Sequence, residues 1–297
     1  MIICIGNALV DSLEQIEEFV IDELNLNKAR MTLVDKERSN FLLQNMKNPI
    51  YEAGGSAANT AYWISQLGGN AGFIGKISND DLGKQFKSSL KDSGLNDYTV
   101  FESEDNQTGL CAIFITPDGE RTMNTYLGAG EHLSVDDLHI DAIKEAKILY
   151  MEGYLWDKPS SKSAFLNAAK INKESGGLNS ISLSDVFCNE DELNSLTLQS
   201  STKESFVYFE ENFPKVKELI CTLGSDGAVI LKNGERHYFE ATETRVVDKT
   251  GAGDFFAAGY LYGLQKELSI DKSANFANKS AAHVISEIGV RPKRKFN

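Results

Sequence analysis

The sequence predicts an α/β protein: a mostly parallel sheet covered by helices on both faces, with a small β-sheet lid. Three observations predict this. Short apolar, β-branched runs alternate with helix-length segments over most of the 297 residues, which is the pattern of βαβ units. Small motifs rich in Gly, Asn and Asp stand at the ends of several of these runs, where open α/β sheets bind ligands. Two segments, 12–50 and 99–131, break the rhythm with hairpin-like material.

The elements follow in order. "MIICIG" (1–6) reads as a buried strand closed by a glycine. Residues 12–50 are more polar, with strand alternation in "MTLVD" and a helical pattern near 36–47. "GGSAANTAYWISQLGG" (54–69) predicts a turn at Gly54-Gly55, a cap at Ser56 or Asn59, and a tightly packing helix. "NAGFIGKIS" is another short strand, and "DDLGKQFKSSLKDSG" an amphipathic helix ending at Gly94. "TGLCAIFITPDGERTMNTYLGA" predicts two strands joined at Pro-Asp-Gly. From about 133 the helix–strand alternation returns. The expected division is a core of residues 1–11, 51–98 and 132–297, with 12–50 and 99–131 forming the lid.

The net charge of −13 argues against nucleic-acid or membrane-surface partners, which are themselves negative. It leaves room for a small anionic ligand in a local pocket. Cys4, Cys111, Cys188 and Cys221 form no C-x-x-C pair, so neither a zinc site nor a disulfide framework is expected, and a reducing cytoplasm fits. The N-terminal stretch lacks the features of a signal peptide, and no run approaches the ~20 apolar residues of a membrane span.

The chemistry concentrates in "VVDKTGAGDFFAAGYLYGL" (246–264). Gly251-Ala252-Gly253 precede a helix whose free N–H groups attract anions. Asp254, in the first turn, would stand beside a bound phosphoryl group and take the proton of an attacking hydroxyl. A plain helix cap with a glycine turn explains the same four residues. There is no Walker A motif and no G-x-G-x-x-G after the first strand.

This stretch resembles the C-terminal signature of the ribokinase-like (PfkB) carbohydrate kinase family. "YEAGGSAANTAYWISQLGG" is similar to its N-terminal Gly-Gly signature, "IGNALVD" to its first-strand motif, "NEDE" to its N-x-x-E and "CTLGSDGAVI" to its nucleotide loop. "GNALVD", "TGLCAIFI" and "ISLSDVFC" look nearest to the adenosine-kinase-like branch. The resemblance implies a three-layer ribokinase-like core with a β lid. It implies transfer of the γ-phosphate of ATP to a primary hydroxyl of a nucleoside or sugar, with magnesium. Carried over, Asp254 is the base and the Gly251, Ala252 and Gly253 amides form the anion hole. Asn7, Asp11, Gly54, Gly55 and Asn59 hold the substrate. Thr222, Gly224, Gly227 and Asn278 line the nucleotide, and Asn189 and Glu192 organise the metal.

Plain structural readings stand beside these. Asp11 and Gly54-Gly55 also fit turns, Asn189 and Glu192 also fit a helix opening, and Tyr154 and Trp156 fit packing as well as base stacking. None of the four histidines shows a catalytic pattern. Leu9, Leu13, Cys111, Ile113 and Phe114 would form either an apolar slot for a base or the core of the lid.

The chain departs from the family twice. Lys249 replaces the usual Thr, and solvent is its expected destination. The helix and strand that normally separate "SLSDVFC" from N-x-x-E are absent, because Cys188 is followed at once by Asn189. Residues missing at this junction are the expectation, since losing an internal strand would expose its neighbours at a cost no domain stable by ~5–15 kcal/mol tolerates. The competing function is a non-catalytic sugar- or nucleotide-binding protein. A monomer or a lid-mediated homodimer is expected.

Overall fold

The first strand, β1 (Ile2–Ile5), is buried at every position because it lies inside a sheet covered on both sides. Ile2 and Cys4 face one helical layer, Ile3 and Ile5 the other. The structure is a computed structural model that describes residues 1–102, 106–182 and 187–296.

In chain order β1 is followed by β2 (Leu9–Gln15), α1 (Phe19–Glu23), β3 (Met31–Leu33), α2 (Lys36–Asn45), β4 (Ile50–Gly54) and α3 (Ser56–Gln66). Then come β5 (Ala71–Ile74), β6 (Lys76–Ile77), α4 (Asp81–Asp92), β7 (Asn96–Asp97), β8 (Val100–Phe101), β9 (Gly109–Ile115) and β10 (Arg121–Tyr126). The alternation resumes with α5 (Ile140–Glu145), β11 (Ile148–Glu152), α6 (Pro159–Glu174), β12 (Leu178–Ser182), β13 (Phe187–Asn189), α7 (Glu190–Thr197) and α8 (Thr202–Asn212). It ends with β14 (Glu218–Thr222), β15 (Ala228–Lys232), β16 (Glu235–Phe239), α9 (Ala252–Gln265) and α10 (Ile270–Val284).

The large sheet has nine strands in the order β16-β15-β14-β13-β12-β11-β1-β5-β7. It is parallel except where β15 pairs antiparallel with β14 and β16. Side chains of α3, α4, α9 and α10 pack on one face. Those of α5 and α6, and farther along α7 and α8, pack on the other. This is the three-layer α/β core that the alternation predicts.

The second sheet has the order β3-β10-β9-β2-β4. β9 and β10 form the expected hairpin. Residues 12–50 are more than a hairpin: β2 and β4 pair antiparallel, but α1, β3 and α2 lie between them, and β3 pairs with β10 at the opposite edge. The two helices seal one face of this sheet, where Leu24, Leu42 and Met46 pack on Leu110, Ala112 and Phe114. The other face carries Leu9, Leu13, Cys111, Ile113, Ile115 and Met123. Strand periodicity therefore removes Phe114 from the apolar set in which the sequence placed it, because neighbours along a strand point to opposite faces.

At the Cys188–Asn189 junction the chain passes through consecutive residues of β13. Ser182 pairs in parallel with Phe187, and β13 pairs in parallel with β14. A crossover between parallel strands takes about a dozen residues or more, far more than separate β12 from β13. β13 runs parallel to both β12 and β14, and α7 and α8 make the crossover from β13 to β14. β12, β13 and β14 occupy consecutive positions in the sheet. Leu183–Val186 of "SLSDVFC" lie outside the described residues.

Candidate active site

Asn7 follows β1, and Asp11 lies on β2 opposite Glu52 of β4. Asn7 is 1% exposed, and neither its amide nitrogen nor its amide oxygen has a hydrogen-bond partner among the described residues. Burial pushes the Asp11 carboxyl up to about 7, the charges of Arg291 and Arg121 pull it down, and those of Glu52 and Asp254 push it up. Gly54 exists for this carboxylate: a Cβ there would fall on it. Gly55 has φ 95°, and its Cβ would fall on the carbonyl oxygen of Asn7. The chain can turn from β4 into α3 this close to β1 only without side chains. Gly55→Ala is accordingly expected to lower stability by about 1–3 kcal/mol, read as a lower thermal unfolding midpoint.

Neither Ser56 nor Asn59 caps α3, contrary to expectation: Gly55 is the cap residue and no side chain accepts from the first turn within the helix. Both side chains turn outward to Asp254. Ser56 Oγ donates to its Oδ1 at 2.6 Å and Asn59 Nδ2 to its Oδ2 at 3.0 Å. The open end of α3 is served from the core by Glu152, whose Oε2 accepts from the Ala57 amide at 2.9 Å and Oε1 from the Asn7 amide at 3.3 Å.

Gly251, with φ 71°, starts α9 and, as its cap residue, offers no side chain to the first turn. The Ala252 amide leans on the Lys249 carbonyl at a long 3.4 Å, and the space beside Gly253 is open. Burial raises the Asp254 carboxyl, while the hydrogen bonds from Ser56 and Asn59 and the charge of Arg291 lower it. Asp254 is thus a carboxylate oriented by two donors at the open, electropositive end of a helix. Before it, Asp248 accepts from the Thr250 amide at 2.9 Å and the Gly289 amide at 2.6 Å, and it pairs with Arg121 of the second sheet. Lys249 points outward, 76% exposed and 3.9 Å from Glu120.

The remaining sequence-predicted residues gather at a second place. Thr222 ends β14 beside Asn189 and donates to the Cys188 carbonyl at 3.4 Å. A short turn at Gly224–Asp226 follows. Gly227 lies against the backbone of Phe239–Ala241, where the Asn278 amide holds the Glu240 carbonyl at 2.8 Å. Asn189 and Glu192 form a reciprocal capping box at the start of α7, both bonds 2.9 Å. No group of three or more His, Cys, Asp or Glu suited to a metal occurs among the described residues. Burial raises the Tyr154 hydroxyl, and the carboxylates of Asp254, Glu192 and Glu152 add to the rise. Trp156 packs against the core, with Lys162 over its ring at 5.0 Å.

Residues 19–295 match the family of pfkB carbohydrate kinases. The chain belongs to the PfkB family. Among solved structures it is similar to adenosine kinase from Sinorhizobium meliloti, at 32% identity and TM-score 0.91 over 99% of this chain and 96% of that one. It is also similar to a probable sugar kinase from Rhizobium etli CFN 42, at 34% identity and TM-score 0.90 over 99% and 96%. Fructokinase-1 of Zea mays is 29% identical over 80% of this chain and 84% of its own.

Sequence reasoning missed five residues that interact with Asn7, Asp11 or Asp254 in this PfkB-family chain: Ser56 as a partner of Asp254, and Glu52, Arg121, Glu152 and Arg291. Glu152 had a readable signal, a lone carboxylate in the apolar run "ILYMEGY". The others depend on contacts between segments far apart in sequence. Glu152, 2% exposed, is raised by burial to about 7, against the Ala57 and Asn7 amides, with Asp254 adding to the rise. Its folded pKa lies above the unfolded value, so the folded state binds the extra proton between about pH 4.5 and 7. Stability then falls as pH rises through that window, by up to roughly 1.4 kcal/mol per pH unit for one proton. Asp11 acts in the same direction. Denaturation midpoints of this family member are expected to drop between about pH 4.5 and 7, and the drop to shrink in Glu152→Gln.

Proposed function

We propose that this PfkB-family member is an ATP-dependent kinase that phosphorylates a primary hydroxyl of a nucleoside, with a free sugar as the alternative acceptor. One observation carries the reading: the Asp254 carboxylate, held by Ser56 and Asn59, stands at the uncapped start of α9. Asp254 accepts the hydroxyl proton. The amides of Gly251, Ala252 and Gly253 face the charge of the phosphoryl group. Bound ATP would supply that group as its magnesium complex.

The residues present fit these ligands. The orphaned amide of Asn7 offers both a donor and an acceptor, and Asp11 is an acceptor, which is what a polyol requires. Gly54, Gly55 and Asn59 complete that wall. Thr222, Gly224, Gly227 and Asn278 would carry the nucleotide. The capping box engages one carboxylate oxygen of Glu192, leaving the other to hold a water of hydrated magnesium. The apolar face of Leu9, Leu13, Cys111 and Ile113 adjoins Asp11 on the same strands. It favours an acceptor with an aromatic base over a bare sugar. Among the described residues no helix is long and apolar enough to cross a membrane, and a cytoplasmic enzyme belongs to the same proposal. Exposed Met31 and Leu33 on one lid edge, and Ile50 and Tyr51 on the other, leave a lid-mediated dimer as the counterpart of the monomer.

An ADP-release assay over ribonucleosides and free sugars tests the reading. A ribonucleoside is expected to turn over, and its 5′-deoxy analogue to bind without turnover. Turnover of fructose or ribose with no nucleoside active would assign the sugar branch instead.

A further inference from the structure

The geometry points to Arg291 as a positioning residue that fixes the orientation of the Asn59 amide and, through it, of Asp254. This rests on the reading of Asp254 as the base. Arg291 Nη1 donates to Asn59 Oδ1 at 2.9 Å, and Asn59 Nδ2 donates to Asp254 Oδ2 at 3.0 Å. A guanidinium has no acceptor and a carboxylate no donor. Only one of the two amide orientations therefore satisfies both neighbours, and the flipped one would set like against like at each end. Without Arg291 only the carboxylate end still selects that orientation, and the Asn59 amide loses the donor that anchors its oxygen.

Arg291 is itself built in. Its guanidinium stacks on the Tyr62 ring at 4.0 Å, and Nη1 also donates to the Val290 carbonyl at 2.9 Å. The neighbouring backbone is held to the lid: Glu52 of β4 accepts from the Val290 amide at 3.2 Å. The Gly289 amide donates to Asp248, which pairs with Arg121 of β10. The arm that carries Arg291 is therefore tied to two of the five lid strands, β4 and β10, so the lid sets the position from which Arg291 acts. Among the groups that couple to Asp254, Arg291 supplies the positive charge. Asp11, Glu152, Tyr150 and Tyr154 are the others.

Arg291→Met, Arg291→Lys and Asp254→Asn are to be compared by kcat, KM and pH profile, with thermal melting as the check of folding. Arg291→Met is expected to lower kcat about 10–100-fold with the acceptor KM within about threefold. The acid limb of its kcat profile should move up by roughly half a unit or more, because the carboxylate loses a nearby positive charge and its Asn59 donor loses its anchor. Arg291→Lys, which keeps the charge and one donor, should recover most of kcat and the original limb. A raised KM with unchanged kcat in Arg291→Met would overturn the proposal and make Arg291 a substrate contact. An unchanged acid limb would overturn it too. If Arg291→Met does not fold, Arg291→Lys decides: a displaced limb despite a normal melt contradicts the role of charge and donor. Retained turnover in Asp254→Asn would instead sink the base itself, whatever Arg291 does.

Discussion

Asp254→Asn is expected to lower kcat by at least about 10²–10⁴-fold while leaving acceptor and nucleotide affinity within about tenfold. The amide is close in size to the carboxylate. One of its atoms can still accept from Ser56 or Asn59, so the wall of the site persists. What is lost is the ability to accept a proton. Steady-state kinetics alongside calorimetric titration separates the two effects. A binding protein on this fold would lose nothing by the change beyond a modest shift in affinity, so the variant divides the two functional readings.

Arg121→Met is expected to reduce folding stability by about 3 kcal/mol or more. The Arg121 and Asp248 side chains are 7% and 2% exposed, so removing the cation leaves an anion with little water to solvate it. The Thr250 and Gly289 amides still donate to Asp248, which keeps the loss toward the lower end of the range for a broken buried pair. Burial depresses the guanidinium to about 10, so it remains charged at neutral pH. Urea denaturation measures the effect, and Arg121→Met/Asp248→Asn should recover part of it. Turnover should also fall, because Asp248 shapes the loop leading to Gly251 and ties it to the lid. A stability change below about 1 kcal/mol would contradict this view of the pair.

Much of the fold was legible because the core strands announce themselves. β1 is apolar at four successive positions because both its faces are covered, and β9 and β10 surround a Pro-Asp-Gly turn. The connection from β2 to β4 was not legible as built. Its hairpin-like strand signals are genuine, but the partner of β3 is β10, about ninety residues away, and local pattern cannot show a partner. The step from β12 to β13 was equally hidden, since it depends on a neighbour, β14, that arrives later in the chain.

The site divides along the same line. Asn7, Asp11, Gly54, Gly55, Asn59 and Asp254 stand in short motifs at element ends, where sequence pattern reports geometry well. The motif reading gave Asn59 to the substrate. In the structure its amide is engaged by Asp254 at one end and Arg291 at the other. Arg291 sits in the basic run "RPKRK", and its contact with Tyr62 joins segments more than two hundred residues apart, which local pattern does not show. Asn189 and Glu192 make the capping box that the plain reading described, and a role toward magnesium is compatible with it.

The most direct test of the central claim is a phosphorus NMR record of the products formed from ATP, magnesium and a panel of nucleosides and sugars. One ADP and one phosphomonoester, on a primary hydroxyl, are expected for each ATP consumed. Tight binding of an acceptor with ATP left intact, across the whole panel, would contradict it.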